Sequence, residues 1–170
     1  MIYFLDTEFV DDGETIMPIS LALVPLDQRR RSLYLEFDFD QEKAEAHDFV
    51  RENVLPHLRG QEQYTRGQAA RAILTYLGIP YPPAASKDRP EFWAYYASYD
   101  WVIFCQVFGT MMGLPKECPR LCFDLQQLWL LHARPAGSAR PPGPHKAHDA
   151  LADAEWNREF YLAMVGDSRA

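Results

Sequence analysis

The segment Ile2-Tyr3-Phe4-Leu5-Asp6-Thr7-Glu8-Phe9-Val10 is apolar until it meets two carboxylates. Residues i and i+2 of a strand face the same side, so Asp6 and Glu8 continue the face of Ile2 and Phe4 and stand together where the strand leaves the core. Two like charges that close raise each other's pKa. A fold accepts the pair when divalent cations neutralise it. Three further residues have types that suit such a site: Asp100, just after the apolar segment Phe92 to Ala97, and His148 with Asp153 at the start of the last helical stretch. Taken singly, each has an ordinary reading. Asp100 suits the first turn of any helix, His148 a helix start, and Asp153 a solvated helix face. Asp149 reads as the N-cap of that helix. The order and setting carry the case, because bare charge at the end of a central strand is costly.

The elements that must position these residues read as α/β. Asp11-Asp12-Gly13 is a turn signal between strand one and a second apolar run, Ile16 to Val24, which predicts an antiparallel hairpin. Leu33 to Phe39 alternates with period two and reads as a third, antiparallel strand. Helices are expected over Gln41 to Leu55 and Gly67 to Leu77, with Pro56 and Gly78 as stops. Phe92 to Ala97 reads as a strand beside strand one, and Tyr99 to Met112 as a buried helix, apolar almost all round. Cys122 to Leu131 is a short strand or helix, and Asp149 to Val165 is the final helix. Three antiparallel-linked strands followed by alternating helices and strands is the ribonuclease H-like arrangement: a mixed central sheet flanked by helices. Asp6, Glu8 and Asp100 all fall at carboxyl ends of strands, where open α/β sheets bind ligands. Small residues at Ala150, Ala154 and Asn157 let the last helix approach the sheet closely.

The 170 residues suit one domain spanning residues 1–170, with 48% hydrophobic residues to build its core. No apolar run reaches membrane-spanning length and no signal peptide precedes the first strand, so a cytoplasmic protein is expected. Three cysteines (Cys105, Cys118 and Cys122) are at no zinc-like spacing and read as reduced thiols. The net charge of −7 opposes broad, non-specific nucleic-acid binding but allows an enzyme that grips one chain end through metal ions. Positive charge is local, at Arg29-Arg30-Arg31 and in the stretch Ala133 to His148, which carries Arg134, Arg140 and Lys146 and no acidic residue.

The order Asp6, Glu8, Asp100, then His148-x4-Asp153 resembles the DEDDh exonucleases. In a related class a tyrosine four residues before the last aspartate replaces the histidine. That place, position 149, is Asp here, and His145 lies too far from Asp153 to serve. The resemblance extends over nearly the whole chain to the mycobacterial polyadenylate-specific exoribonuclease (RNase AS) family. It rests on Met1 to Val10, the Asp-Gly turn, Ile19-Ser20, Trp93 to Gln106, Leu128-Trp129 and His148 to Ala154. Relatives often carry an acidic residue just before the Ile-Ser of strand two, whereas this chain has Met17-Pro18.

The resemblance implies a 3′-to-5′ exoribonuclease and two divalent cations, Mg²⁺ or Mn²⁺, held by Asp6, Glu8, Asp100 and Asp153. It further implies His148 as general base, a single-stranded and adenosine-rich RNA 3′ end as partner, and a homodimer. Phe9 and Tyr99 are candidates to pack against the terminal nucleoside. Arg134, Arg140 and Lys146 are candidates to hold substrate from a Pro/Gly-rich lid. Three alternatives stand beside this reading. A DNA or oligonucleotide exonuclease of the same fold is one, and a non-catalytic RNA-binding relative is another. A His-Asp phosphohydrolase is the third, and the strand-rich first forty residues oppose it.

Overall fold

The computed structural model describes residues 1–80, 89–133, 142–144 and 146–166, with the backbone alone at 132 and 133. Arg134, Arg140, His145 and most of the expected lid lie outside the described residues. The chain forms β1 (Ile2–Asp11), β2 (Ile16–Pro25), β3 (Leu33–Phe37), α1 (Gln41–Ala46), α2 (Asp48–Asn53), β4 (Gln63–Tyr64), α3 (Arg66–Leu77), β5 (Glu91–Ala94), α4 (Ser98–Val107), β6 (Phe123–Asp124), α5 (Leu125–Leu128) and α6 (Ala150–Val165). The strands make one mixed sheet in the order β4-β3-β2-β1-β5-β6. β1, β2 and β3 are antiparallel neighbours, and β5 runs parallel to β1. This is the ribonuclease H-like arrangement expected from the sequence. Among the described residues no helix is long and apolar enough to cross a membrane.

β1 is central because both of its faces are apolar. Tyr3 and Leu5 enter a core with Phe92 and with Ile73 and Phe104 of α3 and α4. Phe4 enters a second core on the other face, with Trp156, Phe160 and Tyr161 of α6. Ala150 and Ala154 are fully buried there, as the small side chains of that helix predict. The hairpin between β1 and β2 closes on Asp12, whose Oδ1 accepts from the Thr15 amide at 2.6 Å, with Gly13 at φ 83° supplying the left-handed turn. The β1–β2 register slips between Glu8 and Phe9: Glu8 faces Ser20 and Phe9 faces Pro18, leaving Ile19 as the extra residue of a β-bulge. Pro18 has no N–H to give a ladder, which suits it to that irregular place.

Several boundaries correct the sequence reading. β3 stops at Phe37, not Phe39, because Asp40 turns to cap α1, accepting from the Lys43 amide at 3.0 Å. The helix expected over Gln41 to Leu55 is broken at His47, whose backbone is extended (φ −92°, ψ 104°). The break aims Val50 and Val54 at Val10, Ile19 and Ala44 in a third small core, which a straight helix would not fill as well. β5 stops at Ala94, not Ala97; the chain turns through Tyr96 at φ 55° before α4 begins. α4 ends at Val107 and is not buried all round, since Tyr99 and Val102 are exposed. Cys122 to Leu131 contains both alternatives, the strand β6 and then α5 running into a π-helical turn over Trp129–Ala133. The two-residue β4, parallel to β3, is too short for any period to reveal.

A buried carboxylate ties the far side of the sheet to α6. Glu36 of β3 accepts from the Arg59 amide at 2.5 Å, from the Gln61 amide at 3.2 Å and from the Tyr34 hydroxyl at 3.1 Å. Arg59 then lies over the Tyr34 ring, 4.0 Å from its centroid, and reaches Asp149 at 3.3 Å. Glu36→Ala strands two amide donors and should cost about 3 kcal/mol. Urea denaturation at pH 7, comparing unfolding midpoints, checks the loss; a change under about 0.5 kcal/mol would mean the loop at Arg59 is held by other contacts.

Candidate active site

Alternation along β1 sends consecutive residues to opposite faces, and the site uses both. Asp6 and Glu8 follow Phe4 onto the α6 face. Asp153, in the first turn of α6, meets them there, and one carboxylate oxygen from each of the three lies within 4.8 Å of the others. Thr7 follows Leu5 onto the α4 face, and its hydroxyl donates to Asp100 Oδ1 at 2.7 Å. Asp100 thus comes to the same end of β1 from the opposite side, in the first turn of α4. The start of α4 is held by Asp124 of β6, whose Oδ2 accepts from the Ala97 amide at 2.8 Å just after the strained Tyr96.

His148 stands at φ 68°, in the left-handed region that L side chains rarely adopt. Two contacts hold it: its amide donates to Asp153 Oδ2 at 2.7 Å, and its ring meets Phe49 edge-on with centroids 4.8 Å apart. Asp149 caps α6 as expected, its Oδ1 accepting from the Leu151 and Ala152 amides at 3.0 and 3.4 Å. Backbone strain of about 1–3 kcal/mol persists only where surroundings over-determine it, and it collects at functional sites.

All five sequence-predicted residues, Asp6, Glu8, Asp100, His148 and Asp153, line one open cleft of about 430 Å³. Phe9 and Tyr99 line it too, stacked on each other at 5.2 Å with their rings 10° from parallel. Lys146 is elsewhere: it is exposed and borders a second groove with Arg59, Pro144 and Trp156. The sequence reading missed His47, Phe49, Tyr95 and Tyr96, which complete the cleft wall. His47 and Phe49 arrive there through the break between α1 and α2, and the helical spacing of that segment carries no sign of it.

Residues 1–165 match the family model of the Rv2179c-like 3′-5′ exoribonuclease domain. The chain belongs to that family. It is 38% identical over 171 residues to the 3′-5′ exoribonuclease Rv2179c of Mycobacterium tuberculosis strain H37Rv, covering 98% of this chain and 95% of that protein. The 3′-5′ exoribonuclease MT2234.1 of M. tuberculosis strain CDC 1551 is similar to the same extent. In this member of the Rv2179c-like family, the electrostatics of the acidic group decide what it can hold.

Two unit charges 4.8 Å apart repel by roughly 3 kcal/mol at an effective dielectric of ~20. Three such pairs rival the whole stability of a domain, about 5–15 kcal/mol. The carboxylates must therefore share protons or cations. Burial, then repulsion from Asp100, Asp153 and Glu8, pushes Asp6 well above the ordinary carboxylate range. Burial, with Asp153 next, pushes Glu8 up to about 8. Burial raises Asp100 to about 7 against the opposing Thr7 hydrogen bond, and it raises Asp153 to about 6 against the His148 amide. Arg59 pairs with Asp149, beside His148, at 3.3 Å.

Each of these carboxyls binds its proton more tightly folded than unfolded, where its pKa is ~4. The stability they contribute is full below that unfolded value and is lost as pH rises through about 6 to 8. In EDTA the melting temperature should therefore fall between pH 5 and pH 8.5, and Asp6→Asn should flatten the fall and raise the value at pH 8. Thermal melts across that range test this; a flat wild-type profile would show that the carboxylates do not repel.

Proposed function

We propose that this chain is a metal-dependent 3′-to-5′ exoribonuclease, a single domain over residues 1–170 that releases nucleoside 5′-monophosphates from single-stranded RNA. The reading is carried by the convergence of Asp6, Glu8 and Asp153 oxygens within 4.8 Å, with Asp100 and His148 on the same cleft. Membership of an exoribonuclease family, and likeness to relatives named 3′-5′ exoribonucleases, favour RNA over DNA. The donor set fits hard divalent cations, Mg²⁺ or Mn²⁺. It offers carboxylate oxygens and no thiolate, and its mutual repulsion is what such ions relieve. Asp6, Glu8 and Asp153, with Asp100 beside them on the cleft, would hold the ions. When bound, the ions supply charge neutralisation to an in-line displacement at the scissile phosphate.

His148 would take the proton of the attacking water, and Phe49 and the Asp153 carboxylate hold the residue for that task. Phe9 and Tyr99 would receive the terminal nucleoside by stacking, which every base allows. The open cleft suits a flexible single strand, whose end reaches the carboxylates more readily than a duplex end. The adenosine preference and a homodimer are proposed on the family resemblance. Pro18 opposite Phe9, where relatives often have an acidic neighbour, bears on the base preference.

His148→Ala should cut turnover by about 10²-fold or more while Mn²⁺ binding stays near wild type; loss of metal affinity instead would make His148 a ligand. Asp6→Ala should abolish activity in a folded protein. Mass spectrometry of products from end-labelled A, C, G and U homopolymers and oligo-dA, with Mg²⁺ or Mn²⁺, tests the substrate. Nucleoside 5′-monophosphates released from the 3′ end, fastest from oligo-A, are expected. Full turnover in EDTA would overturn the metal reading, and faster cleavage of oligo-dA would assign the enzyme to DNA.

A further inference from the structure

α6 meets the sheet through six buried residues: Ala150, Ala154, Trp156, Phe160, Tyr161 and one amide, Asn157. Asn157 is 1% exposed, and its Nδ2 donates to the Leu5 carbonyl at 3.1 Å. Its Oδ1 has no partner among the described residues. A buried amide left half-satisfied is not what packing alone would choose.

The ladder explains why Leu5 needs this donor. The Met1 carbonyl bonds to Glu91 and the Ile2 carbonyl to Leu26, so odd-numbered carbonyls of β1 face β5. The β1–β5 register ends at Phe4 and Trp93, and β5 itself ends at Ala94. Leu5 is therefore the first β1 residue whose carbonyl faces β5 beyond the last paired position. Asn157 fills the place that a continuing strand would take. Leu5 immediately precedes Asp6, and Asn157 lies one helical turn after Asp153, on the same face.

We propose that Asn157 is a positioning residue. Its bond to Leu5 sets the height of α6 against β1, and so brings the Asp153 carboxylate to Asp6 and Glu8. The inference rests on the metal reading above. The carboxylates repel one another in the absence of cations, so the helix that carries Asp153 must be pinned by something other than the ligands. Ala150 and Ala154 permit close approach but leave sliding along the strand unopposed, whereas a hydrogen bond to one carbonyl selects one height.

The test uses Asn157→Leu, which keeps the volume and removes the donor, and Asn157→Ala, which removes both. Mn²⁺ affinity by calorimetry and melting temperature in EDTA are measured together with kcat and KM on oligo-A. Both variants should bind Mn²⁺ tenfold or more weakly, the scale of supporting residues around a metal site. kcat should fall by a similar factor and KM stay within about twofold. Asn157→Leu should melt near wild type and Asn157→Ala lower, with equal losses of affinity. Affinity within twofold of wild type in either folded variant overturns the proposal. So does a loss that follows the melting temperature instead of the missing donor; if the leucine variant does not fold, the alanine variant decides. Asp153→Asn separates the two readings. Should the wild type take up no Mn²⁺, or Asp153→Asn bind it as well as wild type, the metal reading itself falls and this one with it.

Discussion

Repulsion among the four carboxyls at the end of β1 is the constraint around which the fold is arranged. Asp6, Glu8 and Asp153 oxygens within 4.8 Å of one another, with Asp100 behind, would drive their elements apart if nothing else held them. The two cores do the holding. On one face Phe4 packs with Trp156, Phe160 and Tyr161, and on the other Leu5 packs with Phe92 and Phe104. Each aromatic side chain buried contributes about 1.5–3 kcal/mol, so a handful suffices to offset the charge pairs.

The geometry is a consequence of strand alternation at one point. Asp6 and Glu8 take one face, Thr7 takes the other, and helices of opposite faces deliver Asp153 and Asp100 to a single edge. The bulge at Ile19 shifts the register after Glu8, so that Phe9 pairs with Pro18, and its ring stacks on Tyr99 at the cleft. Strain is spent at two places only among the described non-glycine residues, Tyr96 and His148, and both border the cleft. Polar ties hold each: Asp124 on the Ala97 amide beside Tyr96, and Asp153 on the His148 amide.

An acidic site on an acidic chain must still take a polyanion. Four carboxyls gather where cations would sit, and the cleft wall also carries five aromatic side chains: Phe9, Phe49, Tyr95, Tyr96 and Tyr99. Stacking surfaces are indifferent to the sign of the backbone charge. The chain can therefore hold a net charge of −7 and still offer uncharged stacking surfaces in the cleft.

What the sequence determined by itself is what short-range periodicity dictates. Asp6 and Glu8 share a face because a strand has period two, and Asp149 caps α6 because an aspartate before a helix finds free amides. The hairpin, the placement of β5 beside β1, the small-residue face of α6, and the four carboxyls with His148 were all legible from residue type, order and strand ends. Tertiary structure decided the rest, since it turned on contacts between segments far apart. The break at His47 follows from the core that Val50 and Val54 fill, and it is this break that sends Phe49 to His148. The early end of β5 is visible only beside β1, and β4 exists only because β3 offers it an edge. Asn157 reads in the sequence as one more small residue. Its bond to Leu5, across 152 positions, exists because a neighbouring strand stops one residue short of that carbonyl, and no local pattern of amino acids records where a neighbour stops.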